Sequence, residues 1–263
     1  MKLPIYQVDA FTQERFKGNS AAVMPLEQWL ADGQMQGIAM ENNLSETAFL
    51  VREPDGAFRI RWFSPLAEID FCGHATLASA FVLLGQGLAS APLTFRAAAV
   101  GDIKVVQLAD GRLEMDFPNR APEPVASPPS ALLKGLSLPP LEVLRSGQAW
   151  FAVFDSEDQV RQLMPDLARL ETLAPLDVVI TAPGQEHDFV SRYFWPANGG
   201  DEDPVTGSIH AGLAPYWAGR LGKTSLLALQ ASRRSGLLYC RVEDDRVFVA
   251  GHAVLYLQGT IEI

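Results

Sequence analysis

Two glycine turns carry the side chains with the most chemical promise in this sequence, Cys72-Gly73-His74 and Thr206-Gly207-Ser208. Set glycine on glycine, Cys72 falls against Thr206 and His74 against Ser208, an offset of 207 − 73 = 134 residues. Each turn runs into a stretch of small and apolar residues expected to be helical. The first N–H groups of a helix lack backbone partners and the helix dipole is positive there, so both turns are suited to hold an anion such as a carboxylate. Two acids stand near them in the pattern. Glu46 lies in "NNLSETAFLV", where a polar loop passes straight into an apolar strand. A carboxyl held against a dry wall gains proton affinity and can take and return a proton. Asp203, in "DEDPVTGS", precedes the second turn.

The pairing of Cys72 with Thr206 separates two mechanisms. A two-base amino-acid epimerase or racemase working through thiols needs a cysteine at both positions, one to remove a proton and one to return it on the opposite face. Only one is present. Two acids remain near the turns, Glu46 and Asp203, while His74 taken alone fits a satisfied core histidine equally well. Cys72 is then expected to be a small buried apolar group. The remaining reading is a non-catalytic protein that holds a small carboxylate at the two helix starts.

The elements that position these residues occur twice. "RWFSPLAEIDFCGHATLASAFVLLG" begins at Arg61 and "RYFWPANGGDEDPVTGSIHAGLAPYWAGRLG" at Arg192, so Arg61, Phe63 and Pro65 match Arg192, Phe194 and Pro196 at 192 − 61 = 131, half of the 263 residues. A long period seen twice indicates duplication and fusion, not a solenoid. Strands are expected at "LPIYQVDAF", "AAVMPL", "TAFLVRE" and "FRIRWF", a helix near "LEQWLADGQMQGIAM", and a hairpin turning at Asp110-Gly111. The proline-rich segment Pro118–Pro140 reads as a linker or lobe boundary. Beyond it the pattern resumes with strands at "AWFAVFD", "LDVVITAP" and "DFVSRYFW", a helix opened by Ser156 through "SEDQVRQLMPDLARLETL", a hairpin "GLLYCRVEDDRVFVAG" and a last strand "AVLYLQGTIEI". The expected fold is α+β, with two pseudo-symmetric lobes at 1–118 and 119–263, the site in the cleft between them.

Composition narrows the partners. With 21 basic against 31 acidic residues the net charge is −10, which disfavours nucleic acid and anionic membrane surfaces. The start "MKLPIYQVDAFT" lacks the apolar region of a secretory signal, and the apolar run Leu77 to Leu84 is too short to span a bilayer. Two cysteines make no disulfide framework or multi-cysteine metal site. A cytoplasmic protein acting on a small molecule is expected.

The motifs "GNSAAV", "NNLSETAFL", "RWFSPLAEIDFCGHATLA" and "EDPVTGSIHAGLAPYW", in that order along essentially the whole chain, resemble the PhzF-like phenazine-biosynthesis family, which has the diaminopimelate epimerase fold. The resemblance implies two lobes, each a curled, mostly antiparallel sheet around a central helix, with the last strand returning to the first lobe, and commonly a homodimer. It also implies a cofactor-independent isomerase that needs no metal. The acid of the "SET" motif, the family's proton-transferring group, falls on Glu46. The His of "GHAT" falls on His74, and the Asp and Ser of "EDPxTGS" fall on Asp203 and Ser208, as substrate-contacting and proton-relay groups. The chain departs from the pattern at Ser20, where proline is more usual, and at the bulky Trp195.

Overall fold

The structure, a computed structural model, describes residues 1–263. It contains β1 (Lys2–Ala10), β2 (Asn19–Leu26), α1 (Asp32–Asn42), β3 (Glu46–Arg52), β4 (Phe58–Phe63), β5 (Glu68–Ile69), α2 (Gly73–Gly85), β6 (Leu93–Ala97), β7 (Gly101–Gln107) and β8 (Leu113–Pro118). There follow β9 (Glu123–Pro124), α3 (Ser130–Gly135), β10 (Glu142–Arg145), β11 (Ala149–Val153), α4 (Glu157–Gln162), α5 (Leu167–Glu171), β12 (Asp177–Pro183), β13 (Phe189–Phe194) and β14 (Glu202–Asp203). The chain ends with α6 (His210–Leu221), β15 (Ser225–Gln230), β16 (Gly236–Glu243), β17 (Arg246–Gly251) and β18 (Ala253–Glu262). It divides into two compact units, Met1–Asp116 with Ala250–Ile263, and Phe117–Val249. The last strand belongs to the first unit because β18 pairs antiparallel along the whole of β1.

Inside each unit the same pairings occur in the same order. In the first, β2 is parallel to β3, β3 antiparallel to β4, β4 antiparallel to β5 and parallel to β6, and β6 antiparallel to β7. In the second, β11, β12, β13, β14, β15 and β16 repeat that sequence. A parallel pair cannot be closed by a hairpin, so each repeat inserts crossover helices: α1 and α2 in the first unit, α4 with α5 and then α6 in the second. Registers repeat too. Thr47 faces Phe63 and Val178 faces Phe194, both at an offset of 131, while Glu68 and Glu202, at an offset of 134, face those same phenylalanines. The second copy's loop is therefore three residues longer.

The repeated arginine has a repeated task. Arg61 grips Glu68 with two hydrogen bonds, from Nε at 2.7 Å and Nη2 at 2.6 Å, and Arg192 grips Glu202 at 2.7 and 3.0 Å. Each guanidinium also lies over the phenylalanine two residues on, Phe63 at 5.2 Å and Phe194 at 5.0 Å. Two parallel N–H···O bonds fix the carboxylate's orientation as well as its distance. The clasps thereby hold β5 and β14, the short strands that lead into the two glycine turns.

Each unit is built around a buried helix. No charged residue occurs in α2, and Gly73 to Ala80 are all buried. Thr76 and Ser79 enter that core because their hydroxyls donate back to Cys72 O and Ala75 O. In α6, Pro215 has no N–H to give Ala211 O, and that carbonyl instead accepts the Arg120 N–H at 3.0 Å.

Three expectations are corrected. The proline-rich segment 118–140 starts at the boundary of the second unit, which begins at Phe117, but is a folded part of that unit and not a linker: it contains β9 and α3, satisfies α6 through Arg120, and sends Leu132 and Leu136 into a core with Phe154, Val160 and Phe194. The helix expected over 156–173 is two short helices, because Pro165 lies between α4 and α5. The second glycine turn does not open α6 directly, since residues 207–209 form a turn first.

His210, the first residue of α6, is fully buried, and burial pulls its ring down to about 4 from 6.5. Nδ1 lies 2.9 Å from Thr206 O and donates to it, while Nε2 is buried without a hydrogen-bond partner. Since the folded-state value lies below the unfolded one, the unfolded chain takes up the proton first as pH falls. The neutral ring's contribution, about 3 kcal/mol, is complete above about pH 6.5 and disappears as pH falls towards 4, with about 2 kcal/mol gone by about pH 5. The urea midpoint of the protein should therefore drop between about pH 7 and pH 5 more than that of a His210→Gln variant. Equal drops would mean that this ring does not set the acid sensitivity.

Candidate active site

In the first unit, the heads of two parallel strands and the first turn of α2 bring Asn19, Glu46 and His74 together. Asn19 is the first residue of β2, Glu46 the first of β3 opposite Ala21, and His74 the second of α2. All three are buried, with Glu46 at 7% exposure. Ser45 Oγ donates to Asn19 Oδ1 at 3.0 Å, which fixes the amide so that its N–H faces His74 Nδ1 at 3.1 Å. Nδ1 must accept there, and a neutral ring then carries its proton on Nε2. That nitrogen is 2.9 Å from Glu46 Oε2. Oε2 is itself a buried carboxylate oxygen without an aligned hydrogen-bond donor.

Cys72 Sγ lies 3.4 Å from His74 Nδ1 and 3.9 Å from Nε2, and the ligand atoms of Glu46, Cys72 and His74 all fall within 4.8 Å of one another. A carboxylate, a thiolate and an imidazole at such separations are a donor set a divalent cation can use. The protonation pattern opposes it. A cation on Nε2 would move the ring proton to Nδ1, against the Asn19 amide N–H that Ser45 holds in place.

The second unit assembles Asp203, Thr206 and Gln230. Thr206 Oγ1 donates to Asp203 Oδ2 at 2.5 Å, and Gln230 bridges the group by accepting from Thr206 N and donating to Asp203 O. The residue equivalent to Cys72 is thus a hydroxyl committed to a carboxylate. Ser208 is half-buried and accepts from Gln148 Nε2 at 2.9 Å.

The family model of phenazine biosynthesis-like proteins, PhzC-PhzF, matches residues 8–259. The chain belongs to this PhzF-like family. An uncharacterized isomerase of Pseudomonas aeruginosa is 49% identical over the full length of both chains. A crystal structure of a PhzF family protein from Enterococcus faecalis superposes with a TM-score of 0.95 at 43% identity, each chain covered in full. A P. aeruginosa protein described as a predicted epimerase shares the fold, with a TM-score of 0.76 at 23% identity over 98% of this chain and 99% of its own. This PhzF-like chain is accordingly an isomerase with an epimerase-type α+β fold. No helix in it is long and apolar enough to cross a membrane.

Sequence reasoning gave no role to several polar groups that the two units of this PhzF-like chain each bring into hydrogen-bonded clusters. Asn19 lies inside the "GNSAAV" motif, and its position directly after a glycine at a strand head is the one local signal for a side-chain donor there. Gln148, Tyr193 and Asp177 carried no local signal. Trp195 lies against Gly200 in its own loop, where a Cβ on that glycine would come within 2.2 Å of the indole.

Proposed function

We propose that this PhzF-like protein moves a proton between carbons of a small carboxylate-bearing metabolite, cyclic or unsaturated, without a cofactor. Glu46 takes the proton from one carbon, the electron pair left behind delocalises through the unsaturated system, and the same carboxyl returns the proton to another carbon, so that atoms and charge balance. His74, whose Nε2 lies 2.9 Å from Glu46 Oε2, is the polar group beside that carboxyl, and Asp203 and Ser208 are further candidate substrate contacts. The observation that carries the reading is the buried Glu46 Oε2, 2.9 Å from His74 Nε2 yet without an aligned donor. A carboxyl that exchanges no proton with water during the transfer can serve as acid and base in turn.

The thiol reading is disfavoured by Thr206, whose hydroxyl is held by Asp203. Incubating the protein with a set of small unsaturated and cyclic carboxylates in heavy water, and reading carbon-bound deuterium by NMR, tests the proposal. Exchange at carbon that persists in Cys72→Ala supports it. Binding without exchange in every compound would indicate a carrier, and complete loss of exchange in a folded Cys72→Ala variant would restore a thiol mechanism.

A further inference from the structure

The two units keep a carboxyl at the same place and surround it differently. Glu46 heads β3 opposite Ala21 of the parallel strand β2, and Asp177 heads β12 opposite Ala149 of the parallel strand β11, an offset of 177 − 46 = 131. Glu46 retains a buried oxygen without an aligned donor. Both oxygens of Asp177 are taken: Tyr193 Oη donates to Oδ2 at 2.5 Å and Asn198 Nδ2 donates to Oδ1 at 2.7 Å.

The donor directions continue from there. Tyr193, 3% exposed, gives its only proton to Asp177, so its oxygen can only accept, and it accepts from Gln148 Nε2 at 3.1 Å. Burial and the neighbouring Asp177 push the Tyr193 hydroxyl well above its ordinary range, which keeps that proton in place. The second N–H of the same Gln148 amide goes to Ser208 Oγ at 2.9 Å. With its oxygen already accepting there, Ser208 directs its own proton elsewhere.

We infer that Asp177, Tyr193 and Gln148 are positioning residues that fix the Ser208 hydroxyl as a hydrogen-bond donor to an acceptor group of the ligand, its carboxylate. The chain of bonds cannot conduct a proton from Ser208 to Asp177, because the amide between them only donates at both ends. Ser208 therefore selects for a ligand oxygen and does not serve as a base, and Asp177, the counterpart of Glu46, orients without exchanging a proton. This rests on the reading of Ser208 as a ligand contact and is independent of which group moves the proton.

Benzoate, a planar ring carboxylate, serves as the probe, with its dissociation constant measured by titration at neutral pH. Ser208→Ala should weaken binding about tenfold or more, the effect of one hydrogen bond to a charged group. Gln148→Glu keeps the size but turns the end group into an acceptor, which draws the Ser208 proton away from the ligand. It should weaken benzoate as much as Ser208→Ala, and the double variant should lose no more than either single one. Tyr193→Phe and Asp177→Ala, which keep Gln148 chemically intact, should lose part of the affinity, and Asp177→Asn should restore it because an amide oxygen still accepts from Tyr193. The inference is overturned by absence of benzoate binding in the unaltered protein, by additive losses in the double variant, or by Asp177→Asn behaving like Asp177→Ala. If Gln148→Glu does not fold, the Asp177 pair decides alone. Because the readout is equilibrium binding, which Glu46→Gln should leave standing, failure here does not touch proton transfer by Glu46, and failure of the heavy-water exchange does not touch this.

Discussion

Glu46→Gln should bind the substrate that the heavy-water experiment identifies about as well as the unaltered protein and turn it over roughly 10²- to 10⁴-fold more slowly, the contribution of a positioned acid/base. The amide matches the carboxylate in size and keeps an oxygen at the head of β3, where the parallel partner β2 and the first turn of α2 hold it. What it cannot do is carry a proton at neutral pH. The loss should therefore appear in kcat, with KM little changed, as expected for an interaction made only along the reaction path. The Asn19 amide, held by Ser45, would still face His74 Nδ1, because neither contact involves the residue at position 46. Near-normal turnover would place the base elsewhere, with Asp203 the next candidate. An equal rise in KM would show instead that the carboxylate's main task is to bind.

How far the sequence alone could reach is clear from these residues. Glu46, His74, Asp203 and Ser208 lie in motifs with local punctuation, a polar loop entering an apolar strand or a glycine turn before a small-residue helix, and such signals survive in one dimension. The repeat was legible because Arg61-Trp62-Phe63 and Arg192-Tyr193-Phe194 keep their spacing. The reason for the arginines was not, since Glu68 and Glu202 become their partners only through the antiparallel register of β4 with β5 and β13 with β14. Gln148, Asp177 and Tyr193 were out of reach for the same reason. Gln148 precedes β11, Asp177 opens β12 and Tyr193 lies in β13, and they meet through the parallel register that places Ala149 beside Asp177 together with the antiparallel register that places Val179 beside Tyr193. The proline-rich segment misled because proline density usually marks an extended linker, whereas here Arg120 supplies a donor that Pro215 removed from α6.

Gly18→Ala should be the most damaging single methyl group in the first unit. Gly18 adopts φ +64°, a conformation that costs other residues about 1–2 kcal/mol, and a Cβ there would stand 2.1 Å from Ala10 O and 2.8 Å from Thr12 Cγ2. Ala10 is the end of β1 and pairs with Asn19, so neither the carbonyl nor the strand can retreat without moving Asn19. Overpacking of this kind costs a further 1–3 kcal/mol or so, and the total expected loss of stability is about 3 kcal/mol. Gly111→Ala is the matched control. Gly111 also has a positive φ, +86°, but a Cβ on it would meet nothing within 4 Å, so only the backbone cost of about 1–2 kcal/mol applies. Urea denaturation should separate the two variants by their midpoints at equal slope. Turnover should separate them further: displacement of Asn19 releases the His74 tautomer beside Glu46, and a misplacement of about 1 Å can cost about 10²-fold, whereas the Gly111 variant should work at the normal rate. Equal midpoints, or a Gly18→Ala protein with full turnover, would mean that the turn ahead of β2 yields to the methyl group and does not hold Asn19 in place.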